Sequence, residues 1–194
     1  MNELFILGEL MNNPMHGYLL HQILNAIIGP TRKISWGVLY PLIHGLLADG
    51  LIEQVPDEES EGDRQGRGKK KKMYTITEEG RRRFVRLMEE PIPYSPDYEQ
   101  HFYTKLKNFD LIGRETQYFI LHQYKDYLRY EIRYEEERLE HASKDERIPK
   151  GEQRYILTFF RHRLEKLQFD EKWVLQLIDS HRTNEEGLNR RDAD

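Results

Sequence analysis

The chain has 194 residues, a third of them charged, a formal net charge of −4 and no cysteine, which excludes disulfides and thiolate zinc sites. No apolar run reaches the length of about eighteen residues that a transmembrane helix needs, and the first residues lack the basic segment and apolar core of a secretory signal. We therefore expect a soluble, cytoplasmic protein with no membrane partner.

Two apolar helices open the chain. Leucines and a phenylalanine at helical spacing predict the first over about Glu3 to Met11. A broad apolar stripe predicts the second over about Met15 to Ile28, followed by a turn at Gly29. This pair leads into the most informative segment of the sequence.

The third predicted helix is the candidate recognition helix of a helix-turn-helix motif. We expect Ser35 to be its N-cap and Asp49-Gly50 to end it, because glycine adopts the left-handed conformation that closes a helix. The first turn of such a helix normally meets base edges. The candidate DNA contacts in and before it are Lys33, Ser35, Trp36, Gly37, Val38, Tyr40 and His44. For Trp36 and Tyr40, packing in the core is the alternative.

A β-hairpin with a long polar tip follows this helix. The predicted strands are Leu51–Val55 and Met73–Ile76, and Thr77 is expected to cap a helix over Glu78 to Glu90. We call this hairpin with its polar tip the wing. Lysines on a wing can bind DNA phosphates, and such contacts fix the register of the protein on the duplex without reading its sequence. The alternative is that the charged run is only a solvated loop. The candidate contacts of the wing are Arg64, Arg67, Lys69, Lys70, Lys71 and Lys72.

The basic patch is local and is not cancelled by the negative net charge. Between Arg64 and Arg86 there are ten basic residues, opposed only by Glu78 and Glu79. Charges more than about 8 Å away are screened at physiological salt, so the local patch decides the attraction to DNA.

Four motifs in this order resemble the PadR family of bacterial transcriptional regulators: His16-Gly17-Tyr18-Leu19-Leu20, Leu39-Tyr40-Pro41, Asp49-Gly50-Leu51-Ile52 and Tyr74-Thr75-Ile76-Thr77-Glu78-Glu79-Gly80. The resemblance covers roughly residues 4 to 90. It implies a winged helix-turn-helix domain followed by a variable helical dimerisation domain, usually in a repressor. Tyr18, in the first motif, is a further candidate DNA contact.

The C-terminal half reads as a hinge and two long helices. Pro91 to Pro96 is the hinge, and Ser95 with Pro96 is expected to start a short helix. Long helices over about Gly113 to Ser143 and from about Gly151 to Ser180 predict an antiparallel hairpin with uncovered apolar surface, so a symmetric homodimer is expected. The candidate interface residues are Leu121, Leu128, Ile132, Ile156, Phe160, Leu164, Leu167, Val174 and Ile178.

Tyrosines are concentrated in this half, and the resemblance implies aromatic or amphipathic effectors for some family members. The candidate effector contacts are Tyr118, Tyr127, Tyr130 and Tyr134, with ordinary packing as the alternative. Motifs for nucleotide binding, nucleophilic catalysis and metal ligation are absent from the sequence, so neither an enzyme nor a cofactor is expected.

The predicted fold is mainly α with a small β-hairpin. It comprises a winged helix-turn-helix domain (1–90), a proline-rich hinge (91–96), a helical dimerisation domain of antiparallel long helices (97–183) and a polar tail (184–194). The predicted function is that of a dimeric repressor of a pseudo-palindromic operator, released by a small, aromatic effector. An alternative is a winged-helix protein-interaction module scaffolded by a helical dimer.

Overall fold

A computed structural model describes residues 1–29, 33–56 and 72–189. The backbone divides into two compact units. The first is Met1–Glu90 together with Asp97–Gly113, and the second is Pro91–Pro96 with the chain from Arg114 onward. The short helix that sequence analysis placed after the hinge is therefore grouped with the first unit.

The first unit combines helices with a small sheet, in agreement with the predicted fold class. Its elements are α1 (Asn2–Leu10), β1 (Met15–His16), α2 (Gly17–Ile28), α3 (Trp36–Ala48), β2 (Ile52–Val55), β3 (Met73–Ile76), α4 (Glu78–Glu89), α5 (Tyr98–Leu106) and a 3-10 turn (Phe109–Leu111). The core surrounds α1, whose side chains pack with those of the other helices. It includes Leu4, Phe5, Ile6, Leu7, Leu20, Leu24, Leu39, Ile43, Phe84, Met88 and Phe102.

The sheet has three antiparallel strands in the order β1-β3-β2. The predicted hairpin is confirmed, with Ile52 opposite Ile76. Sequence analysis was wrong to place Met15 and His16 in a helix, because Met15 pairs with Tyr74 and α2 begins only at Gly17. A strand of two residues is too short to show an alternating pattern, so only its pairing with β3 reveals it.

Both predicted helix boundaries around the hairpin are confirmed. Gly50 has φ +68°, and the Leu51 amide donates to the Leu46 carbonyl at 2.9 Å, which satisfies an otherwise open carbonyl at the end of α3. At the start of α4, the Thr77 hydroxyl accepts the Gly80 amide at 3.1 Å. The ends of α3 and α4 are thus fixed by local hydrogen bonds.

Helix α5 begins at Tyr98, not at Pro96 as the sequence suggested, and Asp97 occupies the N-cap position. Its start is set by burial, since Tyr98 and Phe102 are almost completely inaccessible. Lys105 is also fully buried, and its ammonium donates to the carbonyl oxygens of Met88 at 2.9 Å and Glu90 at 2.5 Å. Burial lowers the pKa of Lys105 to about 8, although the Glu90 carboxylate opposes that shift.

The second unit is a hairpin of two long helices, α6 (Arg114–Lys144) and α7 (Lys150–Asn189). Gln153 donates to the Ala142 carbonyl at 2.8 Å, and farther along Arg129 Nε donates to a Glu171 carboxylate oxygen at 2.7 Å. The predicted end of the last helix at Ser180 is wrong, because α7 continues to Asn189, into the segment predicted as a tail. Neither proline nor glycine occurs between Ser180 and Glu186 to stop it. Of the predicted tail, residues 190–194 lie outside the described part.

Among the described residues, the helices are each too short or too polar to cross a membrane.

Candidate functional site

Helix α3, the candidate recognition helix, has one buried and one open side. Leu39, Ile43 and Leu46 are buried, whereas Gly37 and His44 are exposed. Val38 and Tyr40 retain 47% and 48% of their surface. The first turns of α3 therefore present an open, partly aromatic surface.

Trp36 is half-buried in an aromatic cluster at the start of α3. Its ring stacks on His21 with centroids 4.1 Å apart and an interplanar angle of 13°. Tyr40 lies at 5.1 Å and Tyr18 at 6.3 Å from the same ring. Tyr18 is itself 61% exposed, so the cluster joins α2 to the open surface of α3. Trp36 therefore packs against His21 and also lies at the edge of this open surface.

Ser35 occupies the predicted N-cap position, but its side chain makes no capping hydrogen bond. The residue before it, Ile34, is instead bound by His21 and Asn25 of α2. Sequence analysis missed both of these residues. The available signal was a pair of polar residues four positions apart, on one side of a helix that is otherwise largely apolar.

The basic residues near the hairpin fall into two groups. Lys33 and Lys72 are exposed, whereas Arg64, Arg67, Lys69, Lys70 and Lys71 lie outside the described residues. The arginines of α4 are engaged within the unit. Glu79 accepts from Arg82 at 2.7 Å and from Arg86 at 3.0 Å, which lowers the pKa of its carboxyl, and Arg83 binds Glu3 at 2.9 Å. The sequence count of ten basic residues therefore overstates the charge available to a partner.

The predicted effector tyrosines separate into distinct places. Tyr127 and Tyr130 lie 5.3 Å and 5.2 Å from the ring of Tyr94, a residue of the predicted hinge. Tyr118 instead lies near His122 and His181, and the guanidinium of Arg138 lies 5.5 Å from the Tyr134 ring. An open groove of about 620 Å³ is lined by Tyr94, Asp126, Arg129, Tyr130, Ile132, Arg133 and Glu171.

The predicted interface residues face the interior of the hairpin. Five of them are buried within the single chain: Leu121, Leu128, Ile132, Phe160 and Val174. Ile156, Leu164, Leu167 and Ile178 are half-buried on the same side of α7. Their burial therefore does not require a second subunit.

A second apolar stripe, which the sequence analysis missed, lies on the outer side of α7. Tyr155, Phe159 and Phe169 are 65%, 50% and 70% exposed. Their spacing of four and ten residues places them on one side of a helix with 3.6 residues per turn. His162 and Lys166 interrupt the stripe in sequence and hide it from a simple apolar pattern. We call these three residues the outer stripe.

Buried polar groups and histidines offer no metal centre, since no group of three His, Asp or Glu residues within the described ranges could hold an ion. The architecture is that of a winged helix-turn-helix protein with an appended helical hairpin.

Residues 6–86 match the sequence model of the family described as the transcriptional regulator PadR-like family. This match spans the winged helix-turn-helix from α1 into α4. Over these residues, which make up less than half of the chain, the sequence is similar to the PadR-like transcriptional regulators, as its motifs predicted. That family consists of transcriptional regulators and not of enzymes, in agreement with the prediction. No curated protein matches the chain.

Several solved structures are similar to the chain over most of its length, at low identity. Bacillus subtilis PadR in complex with operator DNA is 20% identical, over 92% of this chain and 98% of its own, with a TM-score of 0.41. The same protein in complex with p-coumaric acid is 17% identical, over 93% and 94%, with a TM-score of 0.38. The Vibrio cholerae virulence activator AphA is 19% identical, over 94% and 99%, with a TM-score of 0.38. The similarity to the PadR-like family rests on the sequence match over residues 6–86.

Proposed function

We propose that the protein is a dimeric transcriptional repressor that binds a pseudo-palindromic operator through its winged helix-turn-helix. The observation that carries this proposal is the open surface at the start of α3. There Lys33, Ser35, Gly37, Val38 and His44 are exposed, beside the partly exposed Tyr18 and Tyr40. Gly37 is exposed, and a Cβ at this position would meet only the Ser35 hydroxyl oxygen, at 3.6 Å, so a duplex can approach the backbone closely. Trp36 borders the same surface.

Wing and helix would have different roles in this complex. The exposed Lys72, with Arg64, Arg67 and Lys69 to Lys71, would contact phosphates, while the first turns of α3 would contact base edges. Each phosphate contact contributes about 0.9 to the slope of log affinity against log salt. Base contacts contribute to the difference in affinity between operator and random DNA.

The experiment that tests DNA binding compares wild type with a variant in which Lys69 to Lys72 are all alanine. We would select a duplex from a random pool with the wild-type protein and measure affinity for it at several salt concentrations. The variant should bind both selected and random duplexes more weakly, with a slope lower by up to about 3.6. As a control, Lys144 and Lys150 of the helical hairpin are replaced by alanine, and this variant should bind DNA like the wild type. Failure of the wild type to bind any duplex would favour the protein-interaction module instead.

We further propose that a second copy of the chain covers the outer stripe of α7. Three exposed aromatic side chains on one face of a helix are costly in water, and burying each against a partner is worth about 1.5–3 kcal/mol. Symmetry-related copies of one helix can bury the same stripe against each other. The dimer would then present two recognition helices to the two half-sites of an operator.

An aromatic effector would bind in the groove beside Tyr94 and Tyr130. The two rings supply stacking surface, and Arg129 and Arg133 supply donors for an anionic group. A hundredfold release of DNA requires about 2.7 kcal/mol of preference for the form that does not bind DNA. We would titrate phenolic acids and planar cationic dyes against wild type and Tyr130→Ala while following tryptophan emission and operator release. Binding that persists in the variant would place the effector elsewhere.

A further inference from the structure

The residue before the recognition helix is held at both of its backbone polar groups by side chains of α2. The Ile34 amide donates to Asn25 Oδ1 at 2.7 Å, and the Ile34 carbonyl oxygen lies 2.7 Å from His21 Nε2. The same carbonyl accepts from Asn25 Nδ2 at 3.2 Å. Because both ends of one residue's backbone are bound, its position relative to α2 is fixed.

His21 and Asn25, which together hold Ile34 and which we call the clamp, also orient each other. Asn25 Nδ2 donates to the main-chain carbonyl of His21 at 3.0 Å and lies 3.1 Å from the His21 ring. The imidazole also stacks on Trp36, the first residue of α3, at 4.1 Å. His21 thus contacts both the residue before the helix and the first side chain in it.

Helix α3 needs such support because its own sequence stabilises its start poorly. Ser35 makes no side-chain cap, and a missing cap costs roughly 1 kcal/mol. Gly37 is the second helical residue and Pro41 the sixth. Glycine weakens a helix, and proline has no amide to donate to the carbonyl four residues earlier. Contacts from α2 do not cap the amides of α3, but they fix the residue that precedes it, Ile34.

We propose that His21 and Asn25 are positioning residues that set the first turn of α3 for reading base edges. This inference rests on the proposed DNA-binding function. Hydrogen bonds to bases require a fixed helix, whereas lysine contacts to phosphates tolerate a displaced one. Loss of the clamp should therefore reduce discrimination between sequences more than it reduces non-specific affinity.

The test uses the full-length chain with Asn25→Ala and His21→Phe. Asn25→Ala removes the Ile34 amide acceptor, and His21→Phe keeps an aromatic ring for Trp36 but removes the Nε2 contact. Ala26→Gln, at an exposed position beside Asn25, is the matched control. Affinity is measured for the duplex selected by the wild type and for a scrambled duplex, with active protein concentrations determined for each variant.

We expect each clamp variant to lower the ratio of selected to scrambled affinity by about tenfold or more, with the salt slope and the control unchanged. A purely structural role would reduce the folded fraction and leave that ratio intact, and this result would overturn the inference. A wild type that binds no duplex would refute the proposed function itself, which separates the two failures.

A second measurement follows the clamp without DNA. In a Trp173→Phe background, Trp36 is the one remaining tryptophan. Asn25→Ala should change the emission of Trp36 and increase its quenching by acrylamide. The reason is that His21, which stacks on the indole, is no longer held by Asn25. Emission and quenching identical to those of the parent would show that the clamp does not hold the start of α3.

Discussion

Gly80 lies so close to Leu51 that a Cβ at position 80 would overlap the Leu51 carbonyl oxygen. That same oxygen accepts the Thr77 amide at 3.1 Å, while the Thr77 hydroxyl donates to the Gly50 carbonyl at 2.7 Å. The start of α4 therefore packs against Gly50 and Leu51, two of the residues that connect α3 to β2. This contact ties the start of α4 to the end of α3.

Gly80→Ala should reduce the free energy of unfolding by roughly 1–3 kcal/mol, as overpacking of a tight contact does. The obstacle is backbone, so a side-chain rotation cannot relieve it. Gly45→Ala, in open space on α3, is the control and should gain up to about 1 kcal/mol from helix propensity. Urea unfolding measures both variants. Equal stability of the two would contradict the close contact at Gly80.

Phe159→Asp combined with Phe169→Asp should convert the proposed dimer to a monomer. The two carboxylates would have to be buried unpaired in the interface, which costs several kcal/mol. Sedimentation velocity reports the oligomeric state, and circular dichroism should show unchanged helix content because neither side chain packs inside the hairpin. Val85→Asp, on an exposed position of α4, is the control. A dimer that survives the double substitution would remove the outer stripe from the interface.

Glu135 is completely buried between α6 and α7, where it binds Arg163 at 2.9 Å and Arg138 at 3.4 Å. Arg163→Ala should destabilise the hairpin by about 1–3 kcal/mol, since a buried carboxylate loses its closer donor. Glu135→Leu should cost less, because it removes the buried charge and the two arginines can reach water. Thermal unfolding ranks the variants. If Glu135→Leu were more destabilising than Arg163→Ala, the Glu135–Arg163 pair would contribute through packing and not through its charges.

His101 should make the first unit sensitive to acid. Burial, followed by repulsion from the N-terminal amine and Lys105, lowers the pKa of His101 from 6.5 to about 4. Between these values the unfolded chain binds a proton that the folded chain does not, so stability falls as the pH drops from about 6.5 to about 4. His101→Gln should lose this component of the pH dependence in urea unfolding at pH 7 and pH 5. The control His141→Gln, at an exposed position of α6, should keep the wild-type dependence.

Much of the winged helix follows from local sequence signals. The Gly50 stop, the Thr77 cap and the strand Met73–Ile76 each depend on a few neighbouring residues, and each is found where it was predicted. The strand Met15–His16 depends on a partner distant in sequence, Tyr74, so no local pattern predicts it. The contacts of Ile34 left only a weak local signal, the polar pair His21 and Asn25 on α2.

The helical hairpin shows why an apolar stripe does not identify its own partner. Phe160 and Val174 belong to a regular stripe, and sequence analysis assigned that stripe to a second subunit. In the structure α6 packs against this stripe within the same chain, where Phe160 and Val174 are buried, and its assignment to a second subunit stays a prediction. The outer stripe is less regular and was not recognised, because period alone cannot rank two faces of one helix.

The polar pairs between α6 and α7 also bear on how the hairpin can transmit a signal. Arg129–Glu171 and Glu135–Arg163 tie the helices at two levels. Sliding one helix past the other by a turn, about 5.4 Å, would break both pairs at once and leave the buried Glu135 carboxylate without Arg163. A ratchet between the two helices is thereby disfavoured, and we expect α6 and α7 to move together when the hairpin changes position.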